Sequence, residues 1–408
     1  RRTGRTGHTM NVRDARKREE KRIIRDTSTL SVTRYASQAV LGVRGFIIAS
    51  FLGPALYGLW SIYKTIMEFA ANIDLGSNDG MGREIPLNAG RSKESRNAQI
   101  EQTAFSWQLL MSVVAALAVV IISFFPSTQF SMIELQLVAV AVIAGNTFYH
   151  LRKLLIAKKR IMRLSAVEMS YALLSTALGL GLLFFLEIKG LLLGLIATYL
   201  IIILTSMRKR ELSLSFSIGI RSIKILLKTG FPIMVLYLSF FLMQNIDKVL
   251  VFVFLGSTST GYYGLAAFIA VIINYIPHTI NNVLTPRMLH KYGRTNSKED
   301  IHEYFTKPTT LLANGMPLLL GLIVINIPWL VRLVLPEYIP AIQTIQLLTL
   351  SLFFTTMMRI PTEVIILFNR QRILMVIQLV GLALGAALDI ALIKAGYGII
   401  GVAAGTTL

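Results

Sequence analysis

The chain has 408 residues, 54% of them hydrophobic and 15% charged, with 41 Lys and Arg against 21 Asp and Glu and no cysteine. A soluble domain carries about 45–50% apolar and 25% charged residues, so a water-solvated globule is excluded, and the lack of cysteine excludes disulfides and thiolate chemistry. The apolar residues come in runs of about 20, the length that carries a helix across a ~30 Å hydrocarbon core, and such runs are too long and unbroken for barrel strands.

Residues 1–29 form a basic tail with ten Lys and Arg. Met10 is the first methionine, and residues 1–9 are set aside from the functional reading. Six spans then follow at 31–53, 57–76, 102–125, 132–151, 164–186 and 190–206. The first is too long for a signal-peptide core and no small-residue cleavage site follows it, so it is expected to stay. These spans form a predicted N-terminal six-helix lobe over 30–207. A linker over 208–229 mixes Ile218, Ile220, Ile223, Leu226 and Leu227 with Arg221, Lys224 and Lys228, a pattern that suits an amphipathic helix on a membrane surface. The C-terminal lobe, 230–408, has spans near 230–255, 261–285, 309–335, 341–367, 373–394 and 398–408. The last is too short to cross, so the sequence is expected to be truncated in its twelfth helix.

The basic residues are unevenly placed. Segments 1–29, 77–100, 152–163, 207–229, 286–307 and 369–372 hold 33 Lys and Arg, whereas the alternate loops hold only Lys189 and Lys394. This positive-inside bias puts the N-terminus and the even-numbered connections in the cytoplasm, with the protein in the cytoplasmic (inner) membrane. The same charge attracts anionic membrane lipids. A nucleic-acid partner is not expected, because no basic face with aromatic or groove-fitting elements is present.

The two halves resemble each other. Phe51-Leu52-Gly53 followed by Tyr57-Gly58-Leu59 matches Phe254-Leu255-Gly256 followed by Tyr263-Gly264-Leu265. With the triplets aligned the offset is 203 residues, and Arg44 falls opposite Asp247. Six spans per repeat is an even number, so the halves are expected to be parallel and related by a pseudo-two-fold axis along the membrane normal.

Charges inside spans cost about 2.5–3.5 kcal/mol each on insertion scales, and therefore mark sites. Arg44 lies in span 1, Lys64 and Glu68 in span 2, Asp247 and Lys248 in span 7, and Arg359 and Glu363 in span 10. Lys64/Glu68 and Arg359/Glu363 have the i,i+4 spacing of local ion pairs. Arg44 has no such neighbour and needs a carboxylate on another helix, with Asp247 the candidate, or an anionic ligand. Asp74, beside Gly76, Ser77, Asn78 and Asp79, reads as the organiser of a helix end. The five histidines show no metal spacing, and His278, after Pro277, reads as a packing residue. No nucleotide loop, nucleophile elbow or metal motif is present. No cofactor, metal or enzymatic activity is therefore expected.

The opening motifs with Asp74-Leu75-Gly76 and Arg83-Glu84, the second-half Gly230-Phe231-Pro232, Asp247-Lys248 and Gly261-Tyr262-Tyr263, and the late Gly396-Tyr397-Gly398-Ile399-Ile400-Gly401 resemble the polysaccharide and O-antigen flippases. These belong to the multidrug/oligosaccharidyl-lipid/polysaccharide exporter superfamily. The resemblance covers about 30–408. It implies an all-α membrane protein with two six-helix lobes around a central cavity that alternates its access. It also implies a polyprenyl-diphosphate-linked oligosaccharide as cargo, and other polysaccharide-assembly proteins as further partners. On that reading Arg44, Lys64 and Lys248 face one cavity and meet the pyrophosphate, with Asp247 and Arg359 lining it. Arg suits phosphate by its fork of donors and Lys as a point charge. The alternatives are a multidrug or cation exporter of the same superfamily, a lipid-II-type flippase, and a membrane glycan polymerase or ligase. Cations in spans 1 and 2 argue against the drug exporter. The very short outer loops argue against the polymerase.

Overall fold

A computed structural model describes residues 6–90, 96–125, 129–209, 211, 216–295, 299–368 and 370–407. Its elements are helices: α1 (Thr6–Ala70), α2 (Ser77–Gly90), α3 (Asn97–Ser123), α4 (Met132–Ala157), α5 (Ile161–Arg208), α6 (Ile220–Thr295) and α7 (Glu299–Val334). A short 3-10 helix (Pro336–Ala341) leads into α8 (Ile342–Leu367), α9 (Gln371–Lys394) and α10 (Gly398–Thr407). Among the described residues eight helices are long and apolar enough to cross a membrane. The chain is an all-α, multi-pass membrane protein. The side chains of His8, His278 and His290 lie outside the described residues.

Three elements each hold two predicted spans, and each is broken where one crossing should end. The apolar part of α1, Ser28–Ala70, has 43 residues, about twice the ~30 Å crossing length at 1.5 Å per residue. It breaks at Gly53 (φ 65°, ψ 174°), and Pro54 follows, which has no N–H to continue the ladder. α6 breaks at Gly256 (φ 81°, ψ −178°), 203 residues later. That backbone region is essentially glycine-only, so the same residue type makes the same bend in both halves. α5 breaks at Glu187, with φ 50°. Large apolar side chains such as Phe185, Leu318 and Ile325 stand outward at more than 70% exposure, where only lipid solvates them well.

The chain forms two compact units, which follow packing rather than the repeat. The first comprises Arg1–Arg44, Ala70–Ile122 and Gln136–Ile233. Its apolar core joins Met81 and Ile85 of α2 to Phe105, Phe148, Leu151, Leu155, Leu164 and Leu226. A polar network threads it: Asn78 donates to Gln108, Gln108 to Ser112, and Asn146 to Ser112 and to the Ala70 carbonyl. Asp74 organises the start of α2 as expected, accepting from the backbone N–H of Gly76 (3.1 Å) and Asn78 (2.8 Å) and from the Ser77 hydroxyl (3.0 Å). On the basic-loop side Lys153 pairs with Asp79, Lys158 with Glu101 and Arg163 with Glu211, all within 2.7 Å. Buried Glu168 takes both Arg34 (3.1 Å) and Arg152 (2.8 Å).

Part of the linker differs from its expected form. Residues 220–229 are not a separate surface helix but run directly into span 7 as the start of α6. Leu226 is fully buried in the core of this unit, while Ile218 and Ile220 stay exposed.

The second unit comprises Gly45–Phe69, Ser123–Leu135 and Met234–Leu408. Ile273, Leu312, Met316, Leu320, Leu352 and Ile360 form an apolar cluster within it. The two broken hairpins pack on each other here. A Cβ at Gly58 would meet the Ser257 carbonyl, and a Cβ at Gly261 would meet the Pro54 carbonyl. Those pairs are the same pair under the 203-residue offset, the reciprocity of an isologous contact. Tyr338 sits beside them, donating to the Ala49 carbonyl (3.1 Å) with Tyr57 and Tyr262 edge-on to its ring.

Candidate functional site

The first unit holds Arg44 from the span charges. Its Nη1 donates to Ser175 Oγ of α5 at 2.7 Å, while Nε is enclosed without a partner. Arg44 and Asp247, which the sequence sets opposite each other, fall in different units. Asp247 Oδ2 accepts from Tyr263 Oη at 2.8 Å and Thr406 Oγ1 at 3.0 Å, both within its own unit. A hydroxyl satisfies one donor of a guanidinium and leaves its charge unneutralised.

The second unit holds the other six. Lys64 and Glu68 form the predicted i,i+4 pair at 3.7 Å, with both side chains about half exposed. Lys248, half-buried on α6, lies within electrostatic reach of Glu68, Lys64 and Asp247. Two lysines from different helices and two carboxylates, Glu68 and Asp247, thus lie within electrostatic reach of one another. Arg359 is held apart from that group by its own contact, with Nη2 donating to Asn274 Oδ1 at 3.1 Å. Glu363 lies within electrostatic reach, as the i,i+4 spacing implied.

Sequence reasoning missed three carboxylates, of which Glu168 and Asp389 are buried. Glu168 anchors Arg34 and Arg152. Glu134 accepts from Tyr63 Oη at 2.8 Å. Asp389 in α9 is only 1% exposed and faces Asp247 within hydrogen-bond reach. Asp389 carried a readable signal, being a lone acid in the middle of an apolar span with no cation three or four residues away. Among the described residues no group of three or more His, Asp or Glu could hold a metal ion.

Residues 47–337 match the polysaccharide biosynthesis protein family. No curated protein matches the chain. Among solved structures, the inward closed conformation of the lipid II flippase MurJ superposes with a TM-score of 0.69 at 18% identity, over 93% of this chain and 84% of that one. An inward-facing multidrug-resistance MATE transporter of the MOP superfamily gives a TM-score of 0.67 at 14% identity, over 91% and 90%. A MOP superfamily transporter from Pyrococcus furiosus, described by the reverse polarity of its binding pocket, gives 0.63 at 14% identity, over 94% and 91%. These likenesses establish the fold.

Proposed function

This chain belongs to the polysaccharide biosynthesis protein family, and on that footing we propose that it flips a polyprenyl-diphosphate-linked oligosaccharide across the cytoplasmic membrane by alternating access, with its N-terminus in the cytoplasm. The observation that carries the reading is the cationic group of Lys64 and Lys248 around Glu68 inside a membrane-spanning unit. A cation kept in that setting at a cost of kilocalories has a use, and a pyrophosphate supplies the counter-charge. Glu68 then acts as a placeholder that holds the lysines while cargo is absent. Arg44, whose Nη1 is held by the Ser175 hydroxyl rather than by a carboxylate, is a second anion contact. The protein performs no bond chemistry on this reading, and the other proteins of polysaccharide assembly supply and consume its cargo.

Export of a cationic drug is the second reading, and Asp247 with Asp389 is the observation in its favour. Their oxygens are turned inward, at 9% and 1% exposure, and Asp247 is committed to Tyr263 and Thr406. A drug-sized cation has no access to them.

The test is complementation of a flippase-deficient strain, scored by surface polysaccharide with protein levels matched. Lys248→Gln is expected to cut export at least tenfold, Lys248→Glu to abolish it, and Glu68→Gln to leave most of it. Wild-type export by Lys248→Glu would remove the anionic cargo from consideration.

A further inference from the structure

The basic end of the first unit holds a charge group that the cargo reading does not use. Glu168 of α5 is 7% exposed and takes two arginines at once. Arg34 of α1 donates from Nε to its Oε2 at 3.1 Å, and Arg152 of α4 donates from Nη2 to its Oε1 at 2.8 Å. Arg152 is held further by the ring of Phe148, whose centroid lies 5.9 Å from its Cζ, and Phe148 stacks on Tyr171. All three charges sit where the first, fourth and fifth spans meet the basic connections.

One carboxylate cannot neutralise two guanidinium groups, so the trio keeps a charge of plus one. A single arginine is enough for Glu168, and the second is the part that lacks an anion. The arginine side chains are 48% and 37% exposed, so the surplus charge is reachable from the surroundings. The neighbouring surface is apolar: Val32 and Tyr35 beside Arg34, and Ile156 one turn after Arg152, are exposed. A reachable cation among apolar side chains at the edge of a membrane suits a lipid, with phosphate on the arginines and acyl or prenyl chain along the apolar surface. A soluble phosphate would leave those side chains in water. The arginine fork matches phosphate oxygens better than a lysine does. Ser175, which holds Arg44, lies seven residues further along α5, about 10 Å at the helical rise, so a phosphate on this pair is not the one at Arg44. We propose that Arg34 and Arg152, positioned by Glu168, form a binding site for the phosphate of a membrane lipid at the basic end of the first unit. Two lipids carry that chemistry: an anionic phospholipid of the surrounding leaflet and a polyprenyl diphosphate. Only the second source rests on the flippase reading.

Native mass spectrometry of the full chain, released from detergent micelles, counts the lipids that stay bound. The chain is titrated with phosphatidylglycerol, with phosphatidylcholine and with a polyprenyl diphosphate. Arg34→Gln/Arg152→Gln/Glu168→Gln removes the charges without leaving a buried carboxylate unpaired. Lys224→Gln/Lys228→Gln removes two exposed positive charges elsewhere on the same unit. The wild type and the lysine variant are expected to bind the first phosphatidylglycerol at least tenfold more tightly than the triple variant, and to bind zwitterionic phosphatidylcholine weakly. Displacement of that lipid by an equimolar polyprenyl diphosphate identifies the diphosphate as the occupant, and resistance to it identifies the phospholipid. Arg34→Lys/Arg152→Lys keeps both charges for folding and loses only the fork, so it is expected to weaken binding at least threefold, and it carries the test should the triple variant not fold. Equal binding by the wild type and both arginine variants, an equal loss in the lysine variant, or no retained lipid in the wild type would overturn the proposal. Binding is read without transport, so its loss is a separate result from the failure of export in Lys248 variants.

Discussion

Arg44 owes its place to one hydroxyl. Its bond to Ser175 fixes the guanidinium beside α5 without neutralising it, so the charge stays available while the geometry is set. Arg44→Ala is expected to abolish export and Arg44→Lys to leave it impaired, because an ammonium keeps the attraction but loses the bidentate fork. Arg44→Glu should do no better than Ala, since a carboxylate repels phosphate where Ala only removes a contact. Complementation with matched protein levels gives the ranking, and Glu at wild-type level would make Arg44 peripheral. Asp74 offers a stability measurement at the same scale. Asp74→Ala removes three acceptor contacts at the start of α2, and is expected to cost about 1–2 kcal/mol by the scale of helix caps. Chemical unfolding of the purified protein measures it. That Arg44 stands alone on its helix was legible, because helical neighbours are read at fixed spacing. Its partner was not, since Ser175 lies 131 residues away and nothing in either local sequence couples them. Asp389 had a legible burial cost but no legible partner, for the same reason.

The helix breaks work at the scale of elements. Gly53 and Gly256 both hold positive φ at matched positions, and the hairpin motif that repeats at a 203-residue spacing gave them away in the sequence. The tight turns were legible because only glycine fits there. That the chain stays helical on both sides of each bend, so that two crossings merge into one long element, was not. Glycine at φ > 0 avoids a Cβ penalty of about 1–2 kcal/mol. Gly256→Ala, which meets no neighbouring atom within 4 Å, should show that strain alone as a lowered unfolding midpoint. Gly261→Ala should cost more, about 1–3 kcal/mol as an overpacking change, because its Cβ runs into the Pro54 backbone. A Gly256→Ala variant less stable than Gly261→Ala would mean that the hairpins do not press together. The linker shows the reverse problem. An amphipathic pattern reports which side is apolar, not whether the helix continues, and residues 220–229 continue into α6.

At the scale of the whole molecule, the reciprocal hairpin contact bears on how transport would proceed. Gly58 meets Ser257 as Gly261 meets Pro54, and the symmetric partners Ser61 and Gly264 face each other. A Cβ at Gly264 would lie 3.4 Å from that of Ser61, close to the ~3.8 Å mean separation in disulfides. The chain has no cysteine of its own, so the double variant Ser61→Cys/Gly264→Cys carries a single possible intramolecular bridge. Oxidation of membranes holding it should form the bridge readily, seen as a gel shift with a protease site placed between the two positions. Neither single variant can form it. On the proposed reading, with the N-terminus cytoplasmic and access alternating, this contact would lie at the outer ends of the first and seventh spans, and the two hairpins would part once in each cycle. The oxidised double variant is therefore expected to stop export, and a reductant to restore it, while each single variant exports under both conditions. A bridge that fails to form would show that the hairpins are not apposed as described. A bridge that forms quantitatively and leaves export unchanged would place the moving parts elsewhere, and the contact would then be a fixed strut between the two repeats.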